Sequence, residues 1–376
     1  MTETEVLVIG AGPAGALAAI AARRAGACVT LVERAHFPRP KVCGSCLSEA
    51  GLAALGQAGA ADACDDAIPL RVLRLRGAGR ELSLARRAGV AIGRVALDAR
   101  LAERARVAGA DVRFETPATA RPDGRWDVGG VAMAARCAVV ADGIGGRALQ
   151  ALPQFDWQVS ASSRMGFGAI LPAGAVQCAP GDLCMHVQPD GYVGAVMLPD
   201  GSVDVAAAAH PHAVRAAGGP AAYAARALGA LVMDPRALHA AEWRGTPTLT
   251  RRRQALAAPG ILVAGDAAGY VEPFTGEGMG WALMTGAAAG SLAARVARGE
   301  ASHESWPGMH ATLVRTARAR CRAIALALRW PRAVRTALAV GAAVPRLAQH
   351  VSDGIGRAPR GTPVPAPSAT CPEAHA

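Results

Sequence analysis

Residues 5–33 read Glu5-Val6-Leu7-Val8-Ile9, Gly10-Ala11-Gly12-Pro13-Ala14-Gly15, an alanine-rich run from Ala16 to Ala25, and Cys28-Val29-Thr30-Leu31-Val32-Glu33. The first piece is apolar and β-branched without interruption, the pattern of a strand covered on both faces. The glycine run follows at once, Ala16–Ala25 favours helix, and the second strand ends on an acid. Strand, G-x-G-x-x-G, helix, strand and acid within about 30 residues form the fingerprint of a dinucleotide-binding βαβ unit. Gly10 permits the tight turn, Gly12 lets a pyrophosphate approach the backbone, and Gly15 lets the helix close on the strand. Pro13 and Ala14 belong to the turn that meets the cofactor, and the N-terminus of the helix that follows faces the phosphates. Glu33, followed by Arg34, is placed to accept hydrogen bonds from a ribose diol. The fingerprint alone does not choose between FAD and NAD.

The rest of the chain bounds the answer. Its 376 residues allow two domains, or one α/β unit with an inserted lobe. With 52% hydrophobic and 18% charged residues it is not a disordered chain. Nine scattered cysteines do not make a disulfide scaffold. The formal charge is +11, but 39 of the 40 basic residues are arginine, spread along the chain, and aromatics are only 4%. That is the mark of a GC-rich gene rather than of a nucleic-acid footprint, which clusters basic and aromatic residues on one face. Val6–Ala22 carries no charge, yet its lead-in is acidic at Glu3 and Glu5 and it is broken by glycines and Pro13. It reads as neither signal peptide nor membrane span. The apolar run Ala337–Val344 ends at Pro345 and Arg346. The expectation is a cytoplasmic protein with reduced thiols.

Three further segments carry chemistry. Ala138-Val139-Val140-Ala141-Asp142-Gly143 is a strand running into Asp-Gly. Ile261-Leu262-Val263-Ala264-Gly265-Asp266 is another, followed by Glu272-Pro273-Phe274-Thr275-Gly276-Glu277-Gly278-Met279-Gly280 and a helical run over Trp281–Val296. Between fingerprint and first strand lies Arg94-x-x-Leu97-Asp98-x-x-Leu101.

Taken in order, these motifs resemble the FAD-dependent p-hydroxybenzoate hydroxylase and geranylgeranyl reductase superfamily over most of residues 5–290. The resemblance implies an α/β fold: a Rossmann-like FAD-binding domain of three layers with a mainly parallel sheet, an antiparallel-sheet substrate domain and C-terminal helices. It implies one non-covalent FAD, with NAD(P)H as electron donor. Glu33 would hold the adenosine ribose and Arg94 would lie near the diphosphate. Asp266 would meet the ribityl or diphosphate region, and the backbone of Gly278 and Met279 would lie near the isoalloxazine. Asp142, Gly265, Pro273 and Gly276 complete the expected cofactor contacts. The amides at the start of the Gly278 helix suit negative charge on a reduced flavin.

Phe37–Ser48 follows the second strand, and in the superfamily this loop passes beside the flavin. Its Cys43-Gly44 followed by Leu47-Ser48 resembles geranylgeranyl-reductase-like members. Cys43 and Cys46 have no second C-x-x-C to complete a zinc site. A disulfide reductase would need a second nucleotide fingerprint, and none follows a strand here. Gly44 gives backbone access, and the two cysteines are either small lining residues or, for Cys43, a proton source. Lys41 is the only lysine in the chain. It marks either a site that needs a compact ammonium or a surviving codon.

Residues 1–58, 90–150 and 255–300 are expected to form the FAD-binding domain, and 59–89 with 151–254 the substrate domain. Residues 301–355 read as helices and 356–376 as a disordered, proline-rich tail. In the lobe, Met165–Leu171, Gly191–Met197 and Ser202–Ala209 look like strands joined by turns. Geranylgeranyl reductases carry Tyr-x-Trp-x-Phe-Pro on this sheet. Here Tyr192 is kept, but Gly194 stands for the Trp and Val196-Met197 for Phe-Pro. The Trp-x-Trp-x-Ile-Pro of flavin halogenases is absent.

Two enzyme reactions stay open. One, favoured by analogy of fold, is monooxygenation of an aromatic or polyketide-like molecule through a C4a-hydroperoxyflavin. The other is reduction of a C=C bond, with Cys43 or Tyr192 giving the proton and Lys41 nearby. An electron-transfer flavoprotein is the non-enzymatic alternative. Apolar stretches in the lobe and the basic C-terminal helices point to a lipophilic substrate and to peripheral membrane contact.

Overall fold

The computed structural model describes residues 2–86, 88–272 and 274–357. Strand β1 (Thr2–Ile9) turns through Gly10–Gly12 into helix α1 (Pro13–Arg24). The helix begins before Ala16 because Pro13 takes the first helical position, where its fixed φ fits and its missing N–H costs nothing. Strand β2 (Val29–Val32) follows. The chain then builds a hairpin, β3 (Val72–Gly77) and β4 (Arg80–Ala85), before α2 (Arg94–Val107), β5 (Asp111–Arg113) and β6 (Val131–Val140). Next come β7 (Met165–Leu171), β8 (Asp182–Gln188), β9 (Gly191–Met197), β10 (Val203–Ala209) and β11 (Arg244–Thr248). Strand β12 (Ile261–Val263) leads to α3 (Gly278–Ala297), and α4 (Trp306–Ala327), α5 (Pro331–Ala343) and α6 (Pro345–Asp353) follow.

A parallel sheet runs β12-β6-β1-β2-β5. β1 is central, and Val6, Leu7 and Val8 are fully buried, which is why its sequence shows no alternation. Helices α1 and α3 pack backbone to backbone. A Cβ on Gly286 would stand 2.1 Å from the Ala14 carbonyl oxygen, and one on Gly290 2.0 Å from that of Ala18. Each pair is one helical turn from the next, so small residues on both sides make the approach possible.

The second sheet runs β11-β7-β10-β9-β8-β3-β4 and is antiparallel except where β8 meets β3. The hairpin of the 59–89 segment thus joins this sheet at its edge. Strand β8 was invisible in the sequence. Its residues DLCMHVQ do not alternate because both faces are covered: Leu183, Met185 and Val187 enter one cluster and Cys184 another. Helices over Pro211–Ala216 and Pro220–Leu228 cover the outer face, while α5 and α6 lean on β3 and β4. Among the described residues no helix is long and apolar enough to cross a membrane.

Candidate functional site

A cleft of about 990 Å³ separates the two sheets. One wall is built at the C-terminal ends of the parallel strands, where this class of fold binds nucleotides. The other is the inner face of β8, β9, β10 and β11.

The glycine turn sets the first wall. Gly10 has φ 99°, and a Cβ there would stand 2.6 Å from the Ala141 carbonyl oxygen. Only glycine serves at such a position. A Cβ on Gly15 would stand 1.7 Å from the Gly10 oxygen, so Gly15 packs behind the turn and does not line the cleft. Gly12 is different. Its absent Cβ points into open space bounded by one guanidinium nitrogen each of Arg39 and Arg94, both 3.7 Å away.

Those two guanidiniums are held by one carboxylate. Arg94 makes two hydrogen bonds to Asp98, at 2.7 and 2.8 Å, one turn along α2, and Asp98 is fully buried. Burial opposes the charge on Arg94, but Asp98 more than offsets it and holds the guanidinium charged. Arg39 lies 3.5 Å from Asp98 and 3.3 Å from Glu33. Its Nε and Nη1 are buried without a hydrogen-bond partner.

Glu33 ends β2 as expected, and it also braces the turn. It accepts hydrogen bonds from the amides of Ala11 and Ala35, both at 3.0 Å. Arg34 is exposed at the cleft rim. Asp142 lines the cleft, accepting from the Ala148 amide at 2.9 Å, and its other oxygen is buried without a partner. Asp266 faces Arg94, Arg318 and Lys41; burial pushes its carboxyl up against their pull. Gly276, Gly278 and Met279 line the cleft at the start of α3. Gly265 packs on Ala14 instead. Pro273 lies outside the described residues, as does the expected tail from 358 onward.

The loop from Lys41 to Cys46 runs along the cleft. Lys41 is exposed at its mouth, and its Nζ reaches toward Gly143. Lost hydration and the neighbouring Arg39 and Arg94 lower its pKa. Cys43 lines the wall beside Arg94; burial raises its thiol pKa against that guanidinium's pull. Nothing stands where a Gly44 Cβ would be. Cys46 is packed behind the loop, with its thiol pushed up to about 12 by burial. Neither cysteine is in a disulfide.

From the opposite wall, Tyr192 meets Phe274 edge-on at 5.0 Å. Burial keeps its phenol protonated far above the usual range. Behind it Arg164 and Glu272 form a buried pair at 2.7 Å. Met185 fills the space beside Gly194: a Cβ there would stand 2.9 Å from its sulfur.

Sequence reasoning missed Arg39, Tyr270 and Phe274 as lining residues. It also missed Glu277, buried beside the start of α3, where Arg320 donates to it at 2.7 Å and the Gly356 amide at 3.0 Å. In an arginine-rich chain Arg39 carries no signal of its own. Its place six residues after Glu33, on the loop that must pass the turn, was the available clue.

These residues fit FAD. Two guanidiniums, one with unpartnered buried nitrogens, and the free amides of α1 surround an open space at Gly12, suited to a diphosphate. Glu33 stands where a ribose diol needs an acceptor.

Comparison with known proteins agrees. Residues 3–323 match the family described as FAD binding domain. A menaquinone reductase of Mycobacterium tuberculosis is 30% identical over 362 residues, covering 87% of this chain and 85% of its own. A digeranylgeranylglycerophospholipid reductase of Methanoculleus marisnigri is 27% identical over 320 residues, 80% of this chain and 79% of its own. The structure of a flavin-dependent brominase, Bmp2, matches with a TM-score of 0.75 at 16% identity over 95% of both chains, a likeness of fold. With the motifs in order, the cradle built and most of its length matched, this chain belongs to the FAD binding domain family and is an FAD-dependent oxidoreductase.

Proposed function

We propose that this protein uses NAD(P)H to reduce a C=C bond in a lipophilic small molecule, with the parallel-sheet lobe holding FAD and the antiparallel lobe the substrate. The observation that carries this is the chemistry of the second wall. Leu183, Met185, Tyr192, Gly194, Ala206, Ala208 and Leu249 line its middle and Arg244 and Thr246 its β11 end; Asp204 on the same face is engaged by Ser45 and does not line the cleft, so this side offers it no carboxylate or imidazole among the described residues. Hydroxylating a phenolic ring calls for a base to ionise it. An isolated alkene needs only an apolar surface and one proton donor. Both relatives named above are called reductases, and the second acts on a geranylgeranyl lipid by its name.

Bound FAD supplies the two-electron chemistry. Everything else falls to side chains of this chain. Asp98 fixes Arg94 and Arg39 against the diphosphate. Cys43 Sγ and the Tyr192 phenol hold protons at the cleft walls, and the high pKa of each keeps the proton in place until a carbanion-like centre draws it. The apolar wall keeps water from that centre.

Monooxygenation of an aromatic or polyketide-like molecule is the second reading. The amides of Gly278 and Met279 at the start of α3 favour it, because they suit developing negative charge on oxygen. One experiment separates the two. Turnover of a polyprenyl substrate with NADPH should proceed under argon. An absolute need for oxygen would replace reduction with oxygen transfer.

A further inference from the structure

We propose that α5, α6 and the α4–α5 corner form a docking surface for a bilayer of anionic lipid. It deepens the lipophilic-substrate reading above, yet its test needs no turnover.

The charge pattern is the first observation. Residues 305–352 contain eight arginines and not one Asp or Glu, in a chain that has 29 acids elsewhere. Arg332, Arg335 and Arg346 are exposed and make no ion pair among the described residues. A helical surface cluster normally interleaves the two signs to satisfy itself. Arg320 is matched by Glu277 and Asp353 closes α6, but no acid lies between Arg332 and Arg346 in sequence, so the complement of these three arginines comes from outside.

The second observation is apolar. Thirteen large hydrophobic side chains are exposed among the described residues, and six of them lie between 326 and 351: Leu326, Trp330, Val340, Val344, Leu347 and Val351. Leu347 and Val351 are one turn apart on α6 and share a face. Trp330 stands at the N-cap of α5 with 62% of its surface exposed. Arginine beside exposed tryptophan, leucine and valine is the composition of a helix lying in a membrane interface. A phosphate-bearing headgroup meets the guanidiniums, and the acyl boundary meets the apolar residues.

The third observation is position. The inner face of α5, Val334 and Leu338, belongs to the same buried cluster as Met185 and Tyr192 on the cleft wall. A lipid surface on the outer side of α5 is therefore one helix away from the sheet face that forms the substrate wall. A lipophilic substrate would leave the bilayer next to the lobe that receives it.

The test is flotation of the FAD-loaded, full-length protein with vesicles. Vesicles of phosphatidylcholine with about 30% phosphatidylglycerol should bind it at least about tenfold more tightly than phosphatidylcholine alone, and raised salt should weaken the binding. The triple variant Arg332→Glu, Arg335→Glu, Arg346→Glu should lose that preference. Trp330→Ser with Leu347→Ser should weaken binding by about tenfold while leaving FAD content unchanged. Equal binding to both vesicle types, or binding untouched by these substitutions, overturns the proposal. So does a dimer in light scattering that the Trp330→Ser, Leu347→Ser variant converts to monomer, since a second copy would then cover this face. Vesicle binding with no reductase turnover would keep the docking surface and reject the reaction proposed above.

Discussion

Ser45 donates its hydroxyl to the carboxylate of Asp204, joining the flavin-side loop to the start of β10 across 159 residues of sequence. Ser45 sits in the left-handed region at φ 50°. The register of β8, β9 and β10 puts Asp204 on the same face as Leu183, Val196, Tyr192 and Ala206, where it is the only charged side chain those three strands present. Burial pushes its carboxyl up to about 7.

This gives a stability prediction with a definite sign. The folded protein holds the Asp204 proton more tightly than the unfolded chain, so stability is lost as pH rises from 3.8 through about 7. Asp204→Asn removes the ionisation. In urea denaturation at about pH 5 and about pH 8, the variant should gain on wild type by ~2 kcal/mol at the higher pH. A difference that does not change with pH would mean that Asp204 titrates normally.

The diphosphate cradle makes a prediction about colour. Gly12→Val places two methyl groups between the guanidiniums of Arg39 and Arg94 and should yield protein purified without flavin. Arg39→Met keeps the stem and removes the charge, and should weaken FAD binding by about 1–3 kcal/mol. Equilibrium dialysis reads both. Full flavin occupancy in Gly12→Val would move the diphosphate elsewhere.

Asp266 lies where the cations Arg94, Arg318 and Lys41 converge. Asp266→Ala leaves them to repel one another and removes an acceptor, at a cost of about 1–3 kcal/mol in FAD affinity. Unchanged FAD affinity with impaired substrate binding would assign Asp266 to the substrate instead.

Cys43→Ser tests the proton source. The flavin should stay, because the volumes are similar. Turnover of an alkene should fall by about a hundredfold, because an alcohol is a far weaker acid than a thiol. Near-normal activity would leave Cys43 as a lining residue and move the role to Tyr192.

The parallel-sheet lobe was legible because its signal is local: glycines at fixed offsets, unbroken apolar strands and acids at strand ends. Strands β7, β9 and β10 were legible from the turns between them. What was hidden depends on contacts between distant segments. Asp204 sits in the run Val203–Ala209, whose sequence shows only small apolar residues around one acid, and its partner Ser45 belongs to another lobe. Arg164 and Glu272 pair across more than a hundred residues with no spacing to announce it. The motif Tyr192-x-Gly194 was read as a lost tryptophan. Met185, from a strand that sequence did not show, occupies the space beside it.

The backbone contact of Gly286 and Gly290 with Ala14 and Ala18 has a consequence for biosynthesis. Helix α1 leaves the ribosome well before Gly286 and Gly290, and one side of it has no partner until they have been made. A nascent chain therefore carries the nucleotide fingerprint long before it has a nucleotide site. Flavin loading is therefore expected to follow synthesis of α3, and a product terminated before Gly290 would present the bare flank of α1 to chaperones and proteases.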